Sequence, residues 1–120
     1  MPDFKLGEVE SRFVELIWKK EPIASGDLVI LCEKELNWKK STTYTVLRRL
    51  CQKGILKNEN TIVSSLIKRE EYMSQWSEQV VEENFEGSLP RFVAAFMRKK
   101  KLNQKQIEEI QKLIDDYRES

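Results

Sequence analysis

The chain has 120 residues, enough for one small domain or a small domain with a helical appendage, and too few for a large multidomain enzyme. Hydrophobic residues make up 40% and charged residues 34%, so the sequence can build a core while carrying more charge than the usual ~25%. The formal net charge is +1 and histidine is absent, which removes the usual general base, the Ser-His nucleophile pair and the commonest metal ligand together, so no enzyme and no cofactor is expected.

In chain order, the first predicted element is a helix from about Leu6 to Lys20, with Val9, Phe13, Leu16 and Ile17 on one face. Pro22 stops it. After a short extended Ile23-Ala24, Ser25 is the expected N-cap of a second helix that carries Leu28, Leu31, Cys32 and Leu36 as far as about Asn37. Trp38, Lys39 and Lys40 lead to Ser41, the expected N-cap of a third helix burying Thr43, Val46, Leu47 and Leu50, with Gly54 as its C′ residue. The period then changes. Ile55-Leu56-Lys57 and the run from Ile62 to Ile67 are β-prone and flank Asn58-Glu59-Asn60, which reads as a small hairpin. Three helices followed by a two-stranded ribbon predict a winged helix-turn-helix domain over residues 1–69.

The remainder is helical again. Met73, Trp76 and Val80 share one side of a helix from about Arg69 to Phe85, Gly87-Ser88 and Pro90 mark a hinge, and Leu89, Phe92, Val93, Phe96 and Met97 form the next stripe. A last helix, opened by the N-cap candidate Asn103, carries Ile107, Ile110, Ile114 and Tyr117 in a heptad-like seam. The fold class is therefore mainly α, a winged helix-turn-helix domain followed by a helical dimerisation region over residues 70–120. These stripes exceed what one small domain can bury, and an isologous homodimer covers such a patch with itself. Its expected interface holds Trp76, Val80, Leu89, Phe92, Val93, Phe96, Ile107, Ile110, Ile114 and Tyr117.

Cys32 and Cys51 lie far apart, each within an apolar helical pattern, and read as buried thiols in a reducing compartment. The stretch from Met1 to Lys5 lacks the basic and then apolar pattern of a leader, and no run approaches ~20 apolar residues. A cytoplasmic protein without a membrane partner is expected.

Divided along the chain, the small net charge is a cancellation. Between Lys39 and Lys57 stand Lys39, Lys40, Arg48, Arg49, Lys53 and Lys57 with no acid, and between Glu70 and Gly87 stand Glu70, Glu71, Glu78, Glu82, Glu83 and Glu86 with no base. If the third helix turns its apolar positions inward, Ser41, Thr42, Tyr44, Thr45, Arg48 and Arg49 project outward. That face suits double-stranded DNA. Hydroxyls can read base edges or the thymine methyl, guanidinium groups take phosphate or guanine, and a helix N-terminus favours an anion. Lys39 and Lys40 would add affinity at the backbone without sequence information. The alternative is a winged-helix scaffold that binds protein through the acidic helix around Glu78 to Glu86. A hydrolase built on acidic residues finds no support, because Glu82 and Glu83 are adjacent and diverge on a helix.

The segment Glu8 to Trp18, then Ser25-Gly26-Asp27-Leu28, Trp38 and the run from Ser41 through Gly54, resembles the penicillinase repressor family, which has beta-lactam-responsive and copper-responsive members. The likeness continues more loosely into Phe92-Val93-Ala94-Ala95-Phe96 and the run from Leu102 to Ile110, so it covers nearly the whole chain. It implies a homodimeric winged-helix repressor that binds an inverted-repeat operator and holds downstream genes off. By that resemblance Thr42 and Thr45 match base-reading positions, with Ser41 beside them, while Lys39, Lys40 and Arg49 match or neighbour backbone contacts. Tyr44 stands where many members have arginine, a departure that implies different preferred bases. The beta-lactam-responsive members are cut by a regulatory protease in front of a phenylalanine, and Phe96 occupies that place. Ala95 stands where they have asparagine, a departure that speaks against cleavage at Ala95-Phe96 and against a beta-lactam signal alike. The copper-responsive members use a carboxy-terminal cysteine cluster, which Cys32 and Cys51 do not reproduce, so no metal is expected. Asn58-Glu59-Asn60 lacks the glycine and arginine of many wings, which weakens any phosphate grip there.

Overall fold

The computed structural model describes residues 5–120, so the stretch 1–4, part of the segment read for a leader, lies outside the described residues. The elements run α1 (Glu8–Lys20), β1 (Ile23–Ala24), α2 (Ser25–Leu36), α3 (Lys40–Gln52), β2 (Leu56–Glu59), β3 (Ile62–Ser65), α4 (Arg69–Asn84), α5 (Leu89–Met97) and α6 (Gln104–Glu119). The strands form one antiparallel sheet in the order β1-β3-β2. Two compact units divide the chain, the first ending at Glu78 and the second spanning Gln79–Ser120.

In the first unit, the apolar faces of three helices close on the sheet. Phe13, Val14 and Ile17 from α1, Leu28 and Cys32 from α2, and Val46, Leu47 and Leu50 from α3 meet Ile55, Leu56, Val63 and Ile67, all buried. Removing that much apolar surface from water is the main favourable contribution to folding. Trp18 closes one edge, its indole Nε1 donating to the Ile67 carbonyl at 3.0 Å while its ring lies 5.5 Å from that of Tyr72. Tyr72 is buried here, so the first turn of α4 belongs to the winged-helix unit. This differs from a division between residues 69 and 70, because an aromatic ring on the continuing helix still finds the core. Phe13 and Trp38 stack at 5.3 Å and fix the approach to α3.

Two expected caps are corrected. The N-cap of α2 is Ala24, not Ser25, because β1 pairs with β3 and keeps Ala24 extended, with Ala24 opposite Ile62. Ser25 is the first helical residue, its backbone N–H donating to the Thr61 carbonyl at 2.8 Å. The N-cap of α3 is Lys39, not Ser41: Lys39 is extended, and its carbonyl already accepts from Thr43 N–H at 3.1 Å. The turn between α2 and α3 is only Asn37-Trp38-Lys39, with Asn37 left-handed at φ 55° closing α2. Gly54 follows α3 at φ 83°, as a C′ glycine should.

The ribbon turn also differs from its reading at Asn58-Glu59-Asn60. Asn58 and Glu59 belong to β2, and the two turn residues are Asn60 and Thr61 at φ 52° and 65°, between the paired Glu59 and Ile62. Two consecutive positive φ values are those of a tight hairpin turn that matches the twist of the strands. Below it, Glu21 joins the end of α1 to β3. Its carboxylate accepts from Ser65 N–H at 2.8 Å, from Ser65 Oγ at 2.9 Å and from Lys68 Nζ at 3.0 Å. Burial pushes the Glu21 carboxyl up, but the Ser65 and Lys68 interactions together outweigh burial and leave it below its ordinary value.

In the second unit, the ends of the helices are tied by short local bonds. Ser88 caps α5 by accepting from Arg91 N–H at 3.2 Å, and Phe85 meets Phe92 edge to face at 5.3 Å. The Asn103 cap of α6 is as expected: Asn103 Oδ1 accepts from Gln106 N–H at 2.8 Å while Gln106 Oε1 accepts from Asn103 N–H at 3.1 Å. The polar side of α6 is knitted by bonds four residues apart, Gln104 to Glu108, Gln111 to Asp115 and Lys112 to Asp116. Its other side is bare. No residue of α5 or α6 is buried, and Ile107, Ile110, Leu113, Ile114 and Tyr117 are exposed, Tyr117 at 81%.

Candidate nucleic-acid interface

The site is built on α3, which is anchored by Thr43, Val46, Leu47 and Leu50. With that stripe inward, helical geometry turns the opposite face to solvent. Lys39, Lys40, Ser41, Thr42, Thr45, Arg48 and Arg49 are all exposed. The amino end of α3 has no side-chain cap and no acid in its first turn, so its first N–H groups keep their full attraction for an anion. Lys39, Lys40 and Arg48 enter no ion pair among the described residues.

Tyr44 departs from the outward placement its sequence position suggests. It does not project outward with its neighbours; it lies half-buried against the core, its phenol donating to Ser25 Oγ at 3.4 Å. Tyr44 sits where the buried and exposed arcs of α3 meet, and an amphipathic ring there gains more by covering apolar surface with its hydroxyl paired. Arg49 is exposed but held: its Nε donates to Glu10 Oε2 at 3.1 Å. Beside α3, a cleft of about 260 Å³ is lined by Tyr44, Leu47, Arg48, Cys51 and Asn58, which brings β2 of the wing next to the helix. In the wing, Lys57 Nζ lies 3.6 Å from Glu59, so the local positive charge is partly compensated.

Both cysteines are free thiols, Cys32 buried and Cys51 half-buried. Burial pushes both Cys32 and Cys51 up, with the Thr43 hydroxyl opposing the shift at Cys32, so both favour the protonated form. Among the described residues no group of three or more His, Cys, Asp or Glu side chains is placed to hold a metal, and no helix is long and apolar enough to cross a membrane.

Of the residues expected at a dimer interface, Trp76, Leu89, Phe96, Ile107, Ile110, Ile114 and Tyr117 are exposed, while Val80, Phe92 and Val93 are half-buried. Leu113, absent from the expected seam, is 70% exposed on the same side of α6. Ala95 and Phe96 lie exposed near the end of α5. Glu10, which holds Arg49, is also absent from the residues that sequence reasoning singled out. It stands 39 positions before Arg49, and no local spacing links the two.

A short turn between the second and third helices, a third helix with a basic and hydroxyl-bearing outer face, and an antiparallel ribbon after it define a winged helix-turn-helix protein. The Penicillinase repressor family model matches residues 6–116, and the chain belongs to that family, whose members are transcriptional repressors and not enzymes. It is similar to the methicillin resistance regulatory protein MecI of Staphylococcus aureus, 23% identical over 116 residues that cover 93% of this chain and 94% of that protein. It is similar also to the penicillinase repressor of Staphylococcus aureus, 26% identical over 107 residues covering 86% of this chain and 85% of the relative. Among solved structures it resembles the solution structure of the Bacillus licheniformis BlaI monomeric form in complex with the blaP half-operator. The TM-score is 0.51 at 25% identity, over 60% of this chain and 94% of that one. Fold and family together make the chain a DNA-binding repressor.

Proposed function

We propose that the chain represses transcription by binding an inverted-repeat operator as a homodimer, with α3 of each copy in the major groove. Thr42 and Thr45 read base edges, with Ser41 beside them. Lys39, Lys40, Arg48 and Arg49 meet phosphates, and the amino end of α3 adds its own attraction for an anion. The observation that carries this reading is the outer face of α3: hydroxyls and cations exposed together beside an uncapped helix start, in a fold shared with a protein solved on its half-operator. The homodimer is supported by the bare apolar side of α6 and the exposed Leu89 and Phe96 of α5, a surface that a second copy would cover. Relief by a regulatory protease at the Ala95-Phe96 bond fits the exposure of both residues in the last turn of α5, where a helix opens most easily.

The reading is tested by titrating mixed-sequence duplex DNA at a series of salt concentrations. Each phosphate neutralised contributes a slope of about −0.9 in log K against log salt, so a steep dependence is expected. A flat dependence would favour protein recognition through the acidic helix instead.

A further inference from the structure

The Glu10 carboxylate sits at the seam between α1 and α3 with its side chain only 14% exposed. Among the described residues, three groups hold it. Gly7 N–H donates to Oε1 at 3.1 Å, Lys53 Nζ lies 3.8 Å from Oε1, and Arg49 Nε donates to Oε2 at 3.1 Å. The Arg49 side chain is nonetheless 51% exposed, and no bond among the described residues engages its two terminal nitrogens. A guanidinium is a planar fork with two usable edges, so a carboxylate bound at Nε leaves the edge between Nη1 and Nη2 for a second, bidentate acceptor. Arg49 lies four residues beyond Thr45, on the same exposed face of α3.

We infer that Glu10 is a positioning residue for DNA binding, holding the Arg49 guanidinium with its terminal edge turned to a backbone phosphate. The inference rests on the reading that α3 meets DNA. A long flexible side chain loses rotamer freedom when it binds, and one already fixed in the free protein loses less. Lys53 and Gly7 N–H also compensate the Glu10 charge, which would otherwise repel the phosphate. A competing arrangement, in which Glu10 withholds Arg49 from DNA, predicts the opposite response to removing the carboxylate.

The test uses the full chain and a mixed-sequence duplex of about 30 base pairs at roughly 50 mM salt, because a phosphate contact does not depend on sequence. Binding is measured for the unsubstituted chain, Glu10→Ala, Glu10→Gln, Arg49→Ala and the Glu10→Ala/Arg49→Ala double variant, at a temperature where circular dichroism shows all five folded. Glu10→Ala should weaken binding about fivefold, as coupled neighbours do. Glu10→Gln keeps an acceptor for Nε and should recover most of the loss, and Glu10→Ala should add nothing once Arg49 is gone. Unchanged or tighter binding by Glu10→Ala overturns the inference, as do losses that multiply in the double variant. An unsubstituted chain that ignores the duplex overturns the DNA reading itself and this inference with it, whereas intact binding with an indifferent Glu10→Ala overturns only the role of Glu10.

Discussion

Replacing Ile110 and Ile114 together by glutamate is expected to give a folded monomer with operator affinity reduced on the order of a hundredfold. Both side chains are exposed on α6, and glutamate is a good helix former, so the helix itself should survive. In an isologous interface each substituted position occurs twice, and a fully buried isoleucine contributes ~1.5–3 kcal/mol, so each replacement costs roughly 3 kcal/mol or more before charge repulsion is added. Losing the dimer turns two linked half-site contacts into one, which removes the effective-concentration gain of the second. Phe92 is a poorer probe, because its ring already supports Phe85 within the same unit. Sedimentation velocity and operator titration read the two effects separately. A variant that still sediments as a dimer would place the association surface elsewhere.

The second large effect is expected at Thr45. Thr45→Ala keeps the helix and the core, since Thr45 is exposed between the buried Thr43 and Val46. It should cost about 1–3 kcal/mol of discrimination at one base position in each half-site, read by titrating a panel of single-base operator variants. Lys39→Ala and Lys40→Ala should instead weaken all duplexes alike and flatten the salt dependence by about 0.9 for each phosphate left without its cation. Equal losses for Thr45→Ala on operator and unrelated duplexes would remove Thr45 from base reading.

The fold was legible wherever one periodicity or one turn residue decided the outcome. Phe13 and Ile17 mark the inner face of α1, Gly54 closes α3, and Asn103 caps α6 with the reciprocal bond to Gln106. The misread caps share a cause. Ser25 and Ser41 have the side chains of N-caps, but pairing of Ala24 with β3 and the short turn ending at Lys39 start each helix one or two residues earlier. Tertiary context overrode local preference. Tyr44 lies where neither arc of α3 decides its side, and the apolar surface its ring covers together with the nearby Ser25 hydroxyl sets its place. The Glu10 to Arg49 bond was illegible for a related reason: it joins two helices, and each residue alone reads as a solvated charge. The wing turn lies at Asn60-Thr61 rather than at Asn58-Glu59-Asn60, because a hairpin register depends on the pairing of Glu59 with Ile62 and not on turn composition alone.

The central claim is that α3 reads DNA in two copies related by a two-fold axis. Selection of duplexes from a random pool by the purified chain tests it most directly. The expected product is an inverted repeat whose half-site centres lie about one turn, ~10 base pairs, or a multiple of that apart. Enrichment of no sequence at any ionic strength would contradict the claim outright.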